Sequence, residues 1–183
     1  MRKLDFFSMK YLSITAFELA DICLNIQKGK LKDSFQNWGD LYSIEFDIVV
    51  NKLPSSSVVG VFRFTGTDLG NMGTHGDRIP LLMVTKAGKF AFRSSVGDNH
   101  GQFGLNFDIV IGKKYHIVIQ QLKSGSKYWY KIYINDVLEE KTENDNPRSF
   151  PNVKLYTSDS FYESFNKQLG HICNLKIVQG GGE

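Results

Sequence analysis

The chain has 183 residues, 42% of them apolar, which suits one domain with a full core and excludes a disordered tail. Its 22 basic and 19 acidic residues leave a net charge of +3 with no run of five like charges, which argues against a nucleic-acid partner. No stretch approaches the ~20 apolar residues of a membrane-spanning helix.

Fourteen Phe and eight Tyr, with many Val and Ile, favour strands over helices. Residues 1–20 start on the basic Met1-Arg2-Lys3, but Asp5, Lys10 and Glu18 interrupt the apolar run, a poor match to a signal peptide. They read as an N-terminal extension: an atypical leader, an extra strand or a cut edge. Phe17 to Asn25 fits a short helix or a strand, and the pattern does not choose. From Tyr42 to Val50 the alternation is regular: Tyr42, Ile44, Phe46, Ile48 and Val50 point one way, Ser43, Glu45 and Asp47 the other.

Further strands are predicted over 58–65, 79–85, 89–95, 105–111, 115–122, 128–135, 137–141, 153–157 and 171–178. Pro80 falls near the start of its strand, where a missing N–H is tolerated. Asn135-Asp136 supplies a hairpin turn. No segment with helical periodicity follows residue 40. The pattern predicts an all-β antiparallel sandwich or barrel. Residues 179–183, ending Gly180-Gly181-Gly182-Glu183, read as a linker or tag remnant.

Three segments carry a resemblance. Tyr115-His116-Ile117-Val118-Ile119 resembles the Trp-His-x-Val strand of laminin-G domains, with Tyr for Trp. Tyr130-Lys131-Ile132-Tyr133-Ile134-Asn135-Asp136 resembles their Leu-Tyr-Val-Asp-Gly hairpin, and Gly170-His171-Ile172-Cys173-Asn174-Leu175 their closing Gly-x-Ile-x-Asn-Leu strand. Gly76-Asp77-Arg78-Ile79-Pro80 is similar to a segment of such domains in extracellular proteins. The ordered set resembles the laminin-G/concanavalin A-like superfamily over residues 21–178.

The resemblance implies a concanavalin A-like jelly roll, outside the cell, that binds a glycan or an extracellular protein, sometimes with calcium. It also implies that the first and last strands are neighbours. Cys23 and Cys173 would then face each other and, in an oxidising compartment, form a disulfide; two buried free thiols are the alternative.

Glu45 and Asp47 share one strand face, as do the catalytic carboxylates of glucanases in this superfamily, which carry Glu-x-Asp-x-Glu. The third position here is Val49, so hydrolysis is not expected. The same pair, with Asn51, resembles the start of the legume-lectin metal site. Its downstream Asp and His are replaced by Ser56 and Val61, and three residues fall short of the six to eight oxygens calcium takes. The plainer expectation is two solvated carboxylates beside Lys or Arg.

Among the histidines, His116 is expected to pack within the sheet and His171 to lie in the terminal strand, while His75 and His100 sit in polar loops within reach of a ligand. Trp129 and Tyr133 share one strand face; Tyr130, Ile132 and Ile134 share the other and better suit the core. That leaves two outward aromatics suited to a sugar ring or a protein partner, unless they are ordinary packing.

Counting strand reversals puts loops 66–78, 96–104 and 123–127 at one end of the sandwich. They carry Asp68, Asn71, His75, Asp77, Arg78, Asp98, Asn99 and His100, donors for a sugar or for calcium near Asp77 and Asp98. The plain alternative is that Asp77 and Arg78 pair with each other and cap the loop, the other residues being solvated. The expected function is non-catalytic glycan binding; the alternatives are a protein–protein adhesion domain and, less favoured, a glucanase.

Overall fold

The computed structural model describes residues 14–18, 22–24, 29–67, 74–158, 163–165 and 168–180, with the backbone alone for 14–16, 99–102 and 163–164. The strands are β1 (Ile14–Glu18), β2 (Lys30–Trp38), β3 (Leu41–Val50), β4 (Val58–Thr65), β5 (Leu81–Thr85), β6 (Lys89–Val96) and β7 (Asn99–Phe103). Then come β8 (Asn106–Asp108), β9 (Lys114–Ser124), β10 (Lys127–Ile134), β11 (Val137–Glu143), β12 (Phe150–Thr157), β13 (Glu163–Ser164) and β14 (Gly170–Gly180).

They build two sheets. One has six strands in the order β1-β14-β3-β9-β10-β11. The other has eight, β2-β12-β4-β5-β6-β7, with β8 on β6 and the short β13 parallel to β4. All other pairings are antiparallel, and no helix occurs among the described residues. The protein is an antiparallel β-sandwich of the jelly-roll kind.

The alternation along β3 decides its orientation. Tyr42, Ile44, Phe46, Ile48 and Val50 are buried against the second sheet, where Phe62 meets Phe46 edge to face at 5.1 Å. In β10, Tyr130, Ile132 and Ile134 are buried, and Trp129, Lys131 and Tyr133 face out half-exposed. Such pleated alternation is the sheet's way of separating core from solvent.

Several elements depart from the sequence expectation. Ile14–Glu18, in the presumed extension, pairs with β14 from Gly180 to Lys176, so the sheet reaches beyond residues 21–178 at both ends. Residues 96–104, expected as a loop, form the hairpin partner β7 on the upper half of β6. The strand expected over 105–111 keeps only Asn106–Asp108, because the chain must leave β6 to cross to the other sheet and start β9. β2 was not anticipated. The expectation for 79–85 shortens to Leu81–Thr85, after Pro80.

Cys23 and Cys173 form a disulfide with a Cα–Cα separation of 3.9 Å. They sit opposite each other in an antiparallel bridge, flanked by hydrogen bonds from Leu24 N to Ile172 O at 2.8 Å and from Asn174 N to Ile22 O at 3.2 Å.

Candidate functional site

Two surfaces hold the residues singled out from the sequence. The first is the end of the sandwich where β4 and β6 finish, called the upper end below. There the loop entering β5 meets the turn after β6: His75 Nε2 lies 2.9 Å from Gly97 O, Gly76 N donates to Ser95 Oγ at 3.1 Å, and Ser95 N donates to Arg78 O at 2.8 Å. The His75 ring stacks on Phe150 at 5.6 Å. Gly76 is required here. Its φ is +93°, and a Cβ would come within 2.7 Å of the Phe150 ring.

Asn144, at the end of β11, ties in the third loop. Gly97 N donates to its Oδ1 at 2.8 Å, its Nδ2 donates to Gln121 Oε1 at 2.6 Å, and its own N–H reaches Tyr128 O at 2.9 Å. The loops around 75, 97 and 125 are therefore neighbours.

The side chains do not all point outward. Asp77 is fully enclosed: its carboxylate faces Arg63 Nη2 at 3.4 Å, accepts a hydrogen bond from Thr67 Oγ1 and takes Thr74 N at 3.4 Å. Its backbone oxygen accepts Arg63 Nε at 2.8 Å. Arg78 is also buried. Both are built into the frame of the loop, but Asp77 pairs with Arg63 on β4 and not with Arg78, the partner of the plainer expectation, and its enclosed carboxylate is not presented to an external ligand.

Asp98 is exposed. It accepts Asn146 Nδ2 at 2.7 Å and lies 3.8 Å from Arg148 Nη2. Asp68 and Asn71 lie outside the described residues; Asn99 and His100 fall in β7, with only their backbone described. No group of three His, Cys, Asp or Glu side chains fit to hold a metal occurs among the described residues, and a calcium ion near Asp77 would have to displace its buried guanidinium partner. Sequence reasoning missed Asn144, Asn146 and Arg148. One more step in the strand count, over β10 and β11, would have delivered the 144–149 loop to this end.

The second surface is the outer face of the six-stranded sheet. Trp129 and Tyr133 stand on β10, four residues apart and thus about 13 Å along the strand. Leu122 and Val118 are their partners on β9, and Lys131 lies between them opposite Gln120. Gln120 in turn donates to Ser43 Oγ at 3.2 Å. Lys141 Nζ lies 4.1 Å from the Trp129 ring centroid, and Lys127 Nζ lies 5.9 Å from it.

Beyond them, His116 sits between two carboxylates: Nδ1 is 3.1 Å from Asp47 Oδ1, and Nε2 is 3.6 Å from Glu45 Oε1. Asp47 also accepts Asn174 Nδ2 at 2.9 Å and Lys114 Nζ at 3.3 Å. Asp47 thus has partners on both neighbouring strands, a lysine among them, while Glu45 faces His116; with its side chain 15% exposed Asp47 is less solvated than expected, and His116 points outward instead of packing within the sheet.

Partial burial pushes the Asp47 carboxyl up, but hydrogen bonds from His116, Asn174 and Lys114, with the charge of Lys114, outweigh it and hold the pKa below the usual value. A depressed folded-state pKa contributes stability above the unfolded value near 3.9 and loses it as pH falls through the folded one. Asp47→Asn is therefore expected to cost ~1 kcal/mol at pH 7 and progressively less below about pH 4. Thermal melts of both proteins across pH 2.5 to 7 check this; a gap that persists in acid refutes it.

No family model matches the chain, and no curated protein matches it. Solved structures do. The receptor binding domain of botulinum neurotoxin D aligns over all of this chain and 44% of its own, at 16% identity and TM-score 0.53. The serotype D ligand binding domain in complex with N-acetylneuraminic acid aligns over 92% of this chain and 43% of its own, at 14% identity and TM-score 0.54. Trypanosoma rangeli sialidase aligns over 78% of this chain and 21% of its own, at 10% identity and TM-score 0.52. The chain spans less than half the length of each. At such identities the likeness is one of fold.

Proposed function

We propose that the protein is a non-catalytic, extracellular glycan-binding module of concanavalin A-like kind, with its sugar site on the outer face of the six-stranded sheet. The observation that carries this is the pair Trp129 and Tyr133, outward and half-exposed on one strand, with Lys131, Gln120, Ser43, Glu45 and His116 beside them. Aromatic rings stack on the apolar faces of sugars, and the flanking polar groups match hydroxyls. A neighbour of the same fold holds N-acetylneuraminic acid, which supports a glycan ligand. The disulfide is compatible with an oxidising, extracellular setting.

A glycan array, run with and without calcium, tests the reading. Trp129→Ala is expected to weaken the best ligand about tenfold, on the order of 1.4 kcal/mol. Unchanged affinity moves the site to the upper-end loops, where Asp98→Ala becomes the informative variant. Insensitivity to chelator removes calcium from the reading. An array with no ligand at all favours the alternative, an adhesion domain that binds another protein.

Catalysis is not part of the proposal. Val49 stands on the same outer face as Glu45 and Asp47, where a third carboxylate would be needed. Glucan and galactan oligomers are expected to remain intact on prolonged incubation. Turnover that Glu45→Gln abolishes would make the protein a hydrolase.

A further inference from the structure

The end of the sandwich opposite the loops of His75 and Asp98 has a different chemistry. Between β8 and β9 the chain turns through Val110-Ile111-Gly112-Lys113. Val110 is 62% exposed and Ile111 43%. Both were expected inside a strand; the crossover between sheets instead places them at a tip. The tip is anchored, because Ile109 N donates to Gly88 O at 2.9 Å, Gly112 N donates to Val50 O at 2.8 Å, and Val110 N donates to the Tyr115 hydroxyl at 2.7 Å. Two apolar side chains are thus held out on a fixed backbone with no cover among the described residues.

The same anchors bring lysines around the tip. Lys52 follows the Val50 carbonyl, and Lys86 precedes the Gly88 carbonyl in the β5–β6 turn; Lys113 and Lys114 complete the turn. All four are exposed. Lys52, Lys86 and Lys113 have no carboxylate partner among the described residues, whereas Lys114 reaches Asp47. Of the acids nearby, Asp108 is paired with Lys89 at 2.7 Å, while Asp136 and Glu139 lie on the β10–β11 side beside exposed Val137 and Leu138.

We infer that this end docks on an anionic lipid surface, with Val110 and Ile111 entering the headgroup region and Lys52, Lys86, Lys113 and Lys114 facing the lipid phosphates and carboxylates. Apolar residues flanked by basic ones are what an anionic interface selects: burial of the apolar pair and attraction of the lysines add. A soluble polyanion would use the lysines and leave the apolar tip in water, so the exposed Val110 and Ile111 favour the membrane.

Co-sedimentation of the full chain with vesicles tests this. Binding is expected to phosphatidylcholine vesicles containing 30% phosphatidylserine and not to pure phosphatidylcholine. Val110→Ser with Ile111→Ser, and separately Lys86→Glu with Lys113→Glu, are each expected to lower the partition coefficient about tenfold or more. All four positions are exposed, so the fold should survive, which a melting curve verifies. Trp129→Ala, which removes the glycan contact proposed above, should leave vesicle binding unchanged. No binding to the anionic vesicles overturns the inference. So does binding that ignores the Val110/Ile111 change, which would mark a purely ionic surface, or self-association through the tip in place of vesicle binding.

Discussion

Asp77→Ala is expected to lower the stability of the fold by about 3–5 kcal/mol, the cost of leaving a buried charge without its partner. Arg63, in the middle of β4, is wholly enclosed, and the Asp77 side chain is 1% exposed. The guanidinium grips the loop twice, through the Asp77 backbone oxygen at 2.8 Å and its carboxylate at 3.4 Å. Thr67 and Thr74 bind the same carboxylate, so its removal also loosens both ends of the segment that leads into β5. A domain is typically stable by only about 5–15 kcal/mol, so this one change takes a large share. Urea unfolding of the wild type and of Asp77→Asn, which keeps the shape and removes the charge, gives the measure. Arg63→Met with Asp77→Leu should recover most of the loss, because no charge is then stranded. A loss under about 1 kcal/mol in both single variants would show that the pair is solvated and that Asp77 is open to a ligand after all.

Cys23→Ser with Cys173→Ser is expected to cost about 2–5 kcal/mol. The bond closes a loop with a sequence separation of 150, and the chain-entropy model places such a loop near 5 kcal/mol, an upper figure. The bridge also holds residues 22–24, a short segment at the outer side of the sheet, against β14. Cys23 is exposed, so a soluble reductant can reach the bond without prior unfolding. Melting of the wild type with and without reductant, beside the double variant, should give matching downward shifts. Equal stability in all three would mean that the unfolded ensemble already keeps these two segments close, so that the crosslink removes no chain entropy.

Much of the sandwich is written locally. Alternation along 42–50 marks a strand because a pleated backbone sends neighbouring side chains to opposite faces. The same rule separates Ile132 and Ile134 from Trp129 and Tyr133, and so identifies the outward aromatic face. Reversal at each antiparallel turn brings the loops of His75 and Gly97 together before any contact is known. What tertiary structure alone decided is burial and partnership across distance. Asn99–Phe103 has no alternating apolar pattern; it becomes a strand because β6 offers it unpaired backbone groups. The apolar run at 109–111 looks like strand and ends as an exposed tip, because the crossover to the other sheet lies there. Asp77 reads as a surface acid in a Gly-rich loop. Its place inside depends on Arg63, fourteen residues earlier, in a strand whose pattern gives no sign that it needs an anion.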